Sequence, residues 1–229
     1  MSTAYSGDGI TFPDNSVQAT APRVGMVNRI INGDMRIDQR NAGAAIASLG
    51  AAQIYIVDRF FYQSGNAGRF SAQQNAAAVT PPEGYTKYLG FTSLGANSPA
   101  ASDFGIASQS IEGLNTADFG WGTASAATIT ISFWVRSSIT GTQSIALVNL
   151  AGNRSYSQTY TINSANTWEQ KTITIPGDTT GTWLTDNTNG IMLRFALGTG
   201  SSNLTSAGAW NASNSNGATG TAAISATSG

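Results

Sequence analysis

The sequence predicts an all-β protein, an antiparallel two-sheet jelly-roll sandwich preceded by an extended N-terminal arm. Three observations lead there. Apolar and polar residues alternate with a period of two in several stretches. Twenty-six glycines, set among Ser, Thr, Asn and Ala, cut the 229-residue chain into short segments. Long amphipathic helices, which a parallel sheet would need as crossovers, are not visible.

Residues 1–22 hold one apolar cluster, Ile10-Thr11-Phe12, followed by Pro13-Asp14-Asn15, and cannot close a core alone. They are read as an anchoring arm. Ile10, Phe12, Pro13 and Val17 are its docking residues, and Pro13-Asp14-Asn15 turns between two short strands. Residues 23–229 form the jelly-roll domain. Its clearest strand is Thr128–Arg136, where Ile129, Ile131, Phe133 and Val135 share one face and Trp134 sits with Thr and Ser on the other. Further strands follow at Ser144–Leu150, Ser155–Ile162, Trp168–Ile175 and Gly190–Leu197. Upstream, Ile54–Gln63, Arg69–Gln74, Tyr85–Leu94 and Gly105–Ile111 complete the set. After Arg194 no charged residue appears, and 198–229 reads as a long surface loop or as chain awaiting a partner.

Composition narrows the chemistry. The chain has no His and no Cys, which excludes imidazole bases, thiolates, disulfides and zinc sites of ordinary composition. Eleven basic residues against 12 acidic ones leave a net charge of −1, with no basic stripe to drive nucleic-acid binding. No apolar run has the length of a membrane span, and Met1-Ser2-Thr3-Ala4-Tyr5 lacks the order of a signal peptide. The expectation is a protein made in a cytoplasm that neither inserts in a membrane nor uses that export route. No motif marks a cofactor, a metal or a paired-carboxylate catalytic centre, so the chain is expected not to be an enzyme.

Three stretches carry a resemblance: Asn28-Arg29-Ile30-Ile31-Asn32-Gly33-Asp34-Met35-Arg36-Ile37-Asp38-Gln39-Arg40, Tyr55-Ile56-Val57-Asp58-Arg59-Phe60, and Ile129–Arg136. Together with Ile111-Glu112-Gly113-Leu114, Asn153–Tyr156, Asn166-Thr167-Trp168 and Pro176–Trp183, they resemble bacteriophage fibre and virion structural proteins. In that group such segments open a jelly-roll domain similar to carbohydrate-binding modules. The arm segment Ile10–Ala21 is similar to one common near domain starts in phage tail fibres, with Asn15 where Gly is usual; Asn tolerates a left-handed turn. Members of the group continue into a final strand. This chain stops at Gly229, so that strand is either missing or supplied by a partner.

The resemblance implies a tail fibre or receptor-binding module for host-surface attachment. A head fibre or capsid decoration protein is the alternative, and a polysaccharide depolymerase is a third reading. It also implies a virion location and a homotrimer. The partners it implies are tail, portal-adaptor or capsid proteins and a host surface glycan.

Two sets of residues are singled out. Trp121, Trp134, Trp183 and Trp210 are candidates for stacking on a sugar ring or for a subunit interface, because an aromatic face suits the C–H face of a pyranose. Arg29, Asp34, Arg36, Asp38 and Arg40 crowd charge into one stretch of a chain with 10% charged residues, and with Asp58 and Arg59 they are read as structural ion pairs. Glu112 belongs with them. The arm yields a direct expectation: deleting residues 2–22 leaves the domain folded by circular dichroism while removing the protein from purified particles.

Overall fold

A computed structural model describes residues 4–6, 9–11, 17–18 and 27–227. Three short strands, β1 (Ala4–Ser6), β2 (Gly9–Thr11) and β3 (Val17–Gln18), form an antiparallel meander in the arm. Ile10 pairs with Gln18 and Thr11 with Val17, so the Pro13-Asp14-Asn15 segment connects two paired strands. Phe12 and Pro13, and the side chains of Ile10 and Val17, lie outside the described residues.

The domain is all-β. Its strands are β4 (Ile54–Val57), β5 (Phe60–Ser64), β6 (Phe70–Gln74), β7 (Leu89–Ser93), β8 (Phe104–Glu112), β9 (Ile129–Val135) and β10 (Gly141–Val148). They are followed by β11 (Ser155–Ile162), β12 (Glu169–Ile175), β13 (Asn189–Thr199), β14 (Leu204–Thr205), β15 (Trp210–Asn211) and β16 (Gly217–Ala218). Among the described residues, helix is confined to 3-10 turns of three residues. Seven strands make one antiparallel sheet in the order β15-β11-β10-β13-β8-β5-β4. The pairs β9–β12 and β6–β7 are separate antiparallel ribbons, and among the described residues only the two-residue contact β14–β16 is a parallel strand pair.

Register decides which side chains meet. Ile145, Phe195, Ala107 and Tyr62 form one cross-strand row, and Leu147, Leu193, Gln109 and Phe60 form another on the same face. The β9–β12 ribbon lays Ile129, Ile131, Phe133, Ile173 and Ile175 onto the β10–β13 part of that face. The β6–β7 ribbon lays Phe70, Ala72, Leu89 and Phe91 onto the part around Tyr62 and Ala107. Phe195 touches both clusters and makes the core continuous. The layer opposite the large sheet is therefore two ribbons where the sequence predicted strands of one sheet. Over β8 the chain segment Arg29–Ile31 lies instead: Gln109 Oε1 accepts from Ile31 N and Gln109 Nε2 donates to Ile31 O, both at 2.9 Å. A glutamine amide here replaces one rung of a strand ladder.

The other face of the sheet also is covered, and by the stretch read from sequence as loop or unpartnered chain. Its central row is Ala146, Arg194, Ser108 and Phe61. Ser157 and Ser215 hydroxyls lie 2.8 Å apart, Ala218 N donates to Ser144 Oγ at 3.0 Å, and Ala218 has no exposed surface. Arg194, 8% exposed, donates from Nη1 to Asn214 Oδ1 at 2.6 Å, to Asn216 Oδ1 at 2.7 Å and to Ser215 O at 3.0 Å. No carboxylate pairs with it among the described residues, and burial pushes its guanidinium down to about 10. This segment packs through hydrogen bonds and small residues, which carry no hydrophobic period to read.

A second departure lies at Ile54–Gln63, which is a tight hairpin and not one strand. β4 and β5 pair through Val57 and Phe60, leaving Asp58-Arg59 as the turn. Replacing Arg194 by Leu strands the Asn216 side-chain carbonyl and the Ser215 backbone carbonyl in a buried site and is expected to cost about 1–3 kcal/mol, read by urea unfolding. Far-UV circular dichroism is expected to show β structure with little helix.

Candidate functional site

The candidate tryptophans separate on folding. Trp121, Trp183 and Trp210 pack edge-to-face in a closed triad, with centroids 4.9, 5.1 and 5.3 Å apart and ring planes near 77° to one another, at 76° or 78°. Tyr156 and Phe119 extend it. Each indole N–H is used internally: Trp121 donates to Ala127 O at 2.8 Å, Trp210 to Pro176 O at 2.9 Å, and Trp183 to Asp178 Oδ2 at 3.3 Å. The triad closes the end of the core beneath the Pro176–Trp183 loop. Trp134 is elsewhere, half-buried opposite Gln170 on the outer face of the β9–β12 ribbon.

Asp178 anchors that loop. Its side chain is 2% exposed and takes a two-pronged contact from Arg154, Nε to Oδ2 at 2.7 Å and Nη2 to Oδ1 at 2.6 Å. Gly181, at φ +79°, gives the room: a Cβ there would meet Arg154 Cγ at 2.5 Å. Burial alone would raise the Asp178 pKa, but Arg154 and the Thr180 N–H and hydroxyl more than offset it, so the group titrates below the usual carboxylate range. Glu169, on the β9–β12 ribbon, is lowered to about 2, chiefly by Lys171 and then by the backbone N–H groups of Ser164 and Asn163.

The charged residues of the 28–59 region take varied partners. Arg29 pairs with Asp118, Arg36 with Asp34 at 2.6 Å, and Arg59 with Glu112 at 3.1 Å. Asp38 instead accepts the Asn41 and Gly43 backbone N–H groups at 3.0 and 2.7 Å, and Asp58 accepts Gln39 N at 2.6 Å. These two carboxylates close turns. Arg40 has no ion-pair or hydrogen-bond partner among the described residues; its guanidinium lies 4.9 Å from the centre of the Tyr55 ring.

Three of these residues, Arg40, Asp58 and Arg59, converge on one cleft of about 300 Å³, completed by Tyr55, Ser110, Glu112, Asn187, Thr188 and Asn189. The cleft opens where β4, β5, β8 and β13 end. A bulge in the β13–β8 ladder falls between Asn189 and Ile191 and turns Asn189, the partner of Glu112, out of regular register. Gly190 makes that bulge possible, since a Cβ there would meet Gly113 Cα at 2.6 Å.

Two features of the cleft cost stability. Arg59 sits at φ +72°, a conformation that Gly or Asn adopts with less strain. Asn189 has both side-chain polar atoms shut from solvent and without a hydrogen-bond partner. Of the cleft, Tyr55, Ser110 and the 187–189 loop escaped the sequence reading. Asp186-Asn187-Thr188-Asn189-Gly190 is dense in turn residues, and that was the available signal.

No family pattern matches the chain, and no curated protein matches it by sequence. Among solved structures, the crystal structure of the enzymatically active domain of bacteriophage CBA120 tailspike protein 4 is similar at TM-score 0.37 and 11% identity, covering 60% of this chain and 18% of that one. At that TM-score the likeness does not define a shared fold.

Three outcomes follow from the paired carboxylates and the turn. Asp178→Ala leaves the half-buried Arg154 charge unpaired and is expected to cost about 3–5 kcal/mol, read by thermal unfolding. Because the folded-state pKa values of Asp178 and Glu169 lie below their ordinary 3.8 and 4.5, their stabilisation is complete above those ordinary values and is lost as pH falls from them through the lower folded-state ones. Glu169→Gln is expected to flatten the acid limb of a stability–pH curve. Arg59→Gly is expected to leave the unfolding midpoint unchanged or raise it, since strain and an exposed ion pair leave together.

Proposed function

We propose that the chain is a non-enzymatic virion protein of a tailed bacteriophage, a tail fibre or receptor-binding module that attaches to a surface glycan. The observation that carries the attachment role is the cleft: charged and amide side chains held in a strained, incompletely satisfied arrangement on a rigid sheet. The resemblance of 28–40, 55–60 and 129–136 to phage fibre proteins supports the virion setting, and the paired strands on either side of the Pro13-Asp14-Asn15 segment support an arm built for docking. In this reading the sandwich is a jelly roll whose second sheet is split into two ribbons. The working assembly is a homotrimer anchored by the arm to tail, portal-adaptor or capsid proteins.

The tryptophan triad is not the glycan platform in this reading, because its rings and N–H groups are spent on one another and on the loop. A depolymerase is the second reading, favoured by one observation: Asp58 and Glu112 line the same cleft. Against it, Glu112 is held by Arg59 and Asp58 by Gln39 N.

Imaging of particles carrying a tag on this chain is expected to place it on the tail. Density on the capsid would make it a decoration protein. Release of reducing ends from a bound polysaccharide, abolished by Glu112→Gln, would make it a depolymerase.

A further inference from the structure

We propose that the cleft binds an acidic saccharide through its carboxylate, with Arg40 as the residue that reads the charge. This rests on the glycan-attachment reading above and names the ligand class for the same site. The groups of the cleft divide into those already engaged and those free. Arg59 and Glu112 hold each other at 3.1 Å, and Asp58 is held by Gln39 N at 2.6 Å. Two opposite charges and a fixed carboxylate thus frame the site without needing a ligand.

What is left is one cation. The Arg40 guanidinium has no acceptor among the described residues, yet it is placed over a ring: Tyr55, itself braced edge-on by Phe61 at 5.5 Å, lies 4.9 Å from it. The contact with the ring restricts the guanidinium at the cleft wall and leaves its N–H donors without a protein acceptor among the described residues. That fork matches the two oxygens of a carboxylate, and the pairing adds both geometry and energy beyond a point charge. Asn189 lines the wall, but its amide atoms are shut from solvent and lie out of a ligand's reach. Ser110 adds a hydroxyl that both gives and takes a hydrogen bond, and Thr188, whose hydroxyl donates to Asp186 Oδ1, adds an acceptor. The free groups therefore ask for one planar anion beside several hydroxyls, and a hexuronate or sialate unit has that composition. A neutral hexose would leave Arg40 unmatched.

The test titrates the full-length protein, by ligand-observed NMR, with methyl glucuronoside, methyl galacturonoside, methyl sialoside, the methyl ester of the glucuronoside and glucose 6-phosphate. At least one acid is expected to bind, and its ester, or a neutral analogue of equal size, at least tenfold more weakly. Arg40→Gln is expected to weaken the acid at least tenfold while changing the ester less than twofold, and Arg40→Lys to fall between. Ser110→Ala is expected to weaken acid and ester alike while leaving the unfolding midpoint in place, a split that a merely structural residue would not give.

Equal binding of acid and ester would overturn the charge assignment while leaving the glycan reading intact. Preference for the phosphate would overturn the carboxylate class. Binding by no member of the set, or binding unaffected by Arg40→Gln, would overturn the proposal, and particle adsorption to cells would then decide the attachment role on its own.

Discussion

The ladder between β13 and β8 is the constraint on which the rest depends. These are the longest strands of the domain, they sit at the centre of the seven-stranded sheet, and both of their faces are covered. One face takes the apolar ribbons; the other takes a polar cover fixed by Arg194. The ladder is also interrupted twice, between Asn189 and Ile191 and between Ala196 and Gly198. At the first interruption the cleft opens. At the second, Gly198 admits the C-terminal segment so closely that a Cβ would meet Ser225 Oγ at 2.2 Å. A bulge re-aims side chains without ending the sheet, and here two of them separate the part of the sheet that presents groups from the part that is sealed.

Sealing is done differently at each place, according to what the sequence offers. The apolar face uses isoleucine, leucine and phenylalanine, whose burial contributes roughly 1.5–3 kcal/mol each. The opposite face has serines, asparagines and a buried arginine, where each hydrogen bond adds only about 1 kcal/mol net but each unmade one costs more. That asymmetry makes the polar cover specific: Asn214, Ser215 and Asn216 fit Arg194 in one register and leave a buried guanidinium in any other. The tryptophan triad does the same at the end of the core, with every N–H assigned.

The ribbons and most of the central sheet were legible because their residues alternate. The predicted strand at Thr128–Arg136 corresponds to β9, Ser155–Ile162 to β11 and Trp168–Ile175 to β12, each within a residue at either end. Three things were not legible. The Asp58-Arg59 turn hides in an apolar run whose signal would normally be Asn-Gly, because the chain places a strained Arg there. The C-terminal cover has no apolar period, since small and amide side chains hold it. The cleft draws on residues from four strand ends and a loop, so no local pattern contains it; Arg40, Asp58 and Arg59 stood out as charges, but their shared wall with Glu112 and Asn189 exists only once β4, β5, β8 and β13 are side by side.

The use of arginine ties the fold to the site. In a chain with so few charges, each guanidinium among the described residues except one has a protein acceptor: Arg29, Arg36, Arg59, Arg69 and Arg154 hold carboxylates, Arg136 donates to Asn166 O, and Arg194 takes amide and backbone oxygens. A rigid five-donor fork is suited to such work, because it fixes direction as well as charge. Arg40 departs from the pattern. It is exposed, lies over the Tyr55 ring and lines the cleft, with its donors unspent among the described residues. Solvent alone would satisfy those donors equally well from any rotamer, so solvation does not account for the stacked one; a ring that restricts the guanidinium lowers the entropy still to be lost when a planar partner arrives.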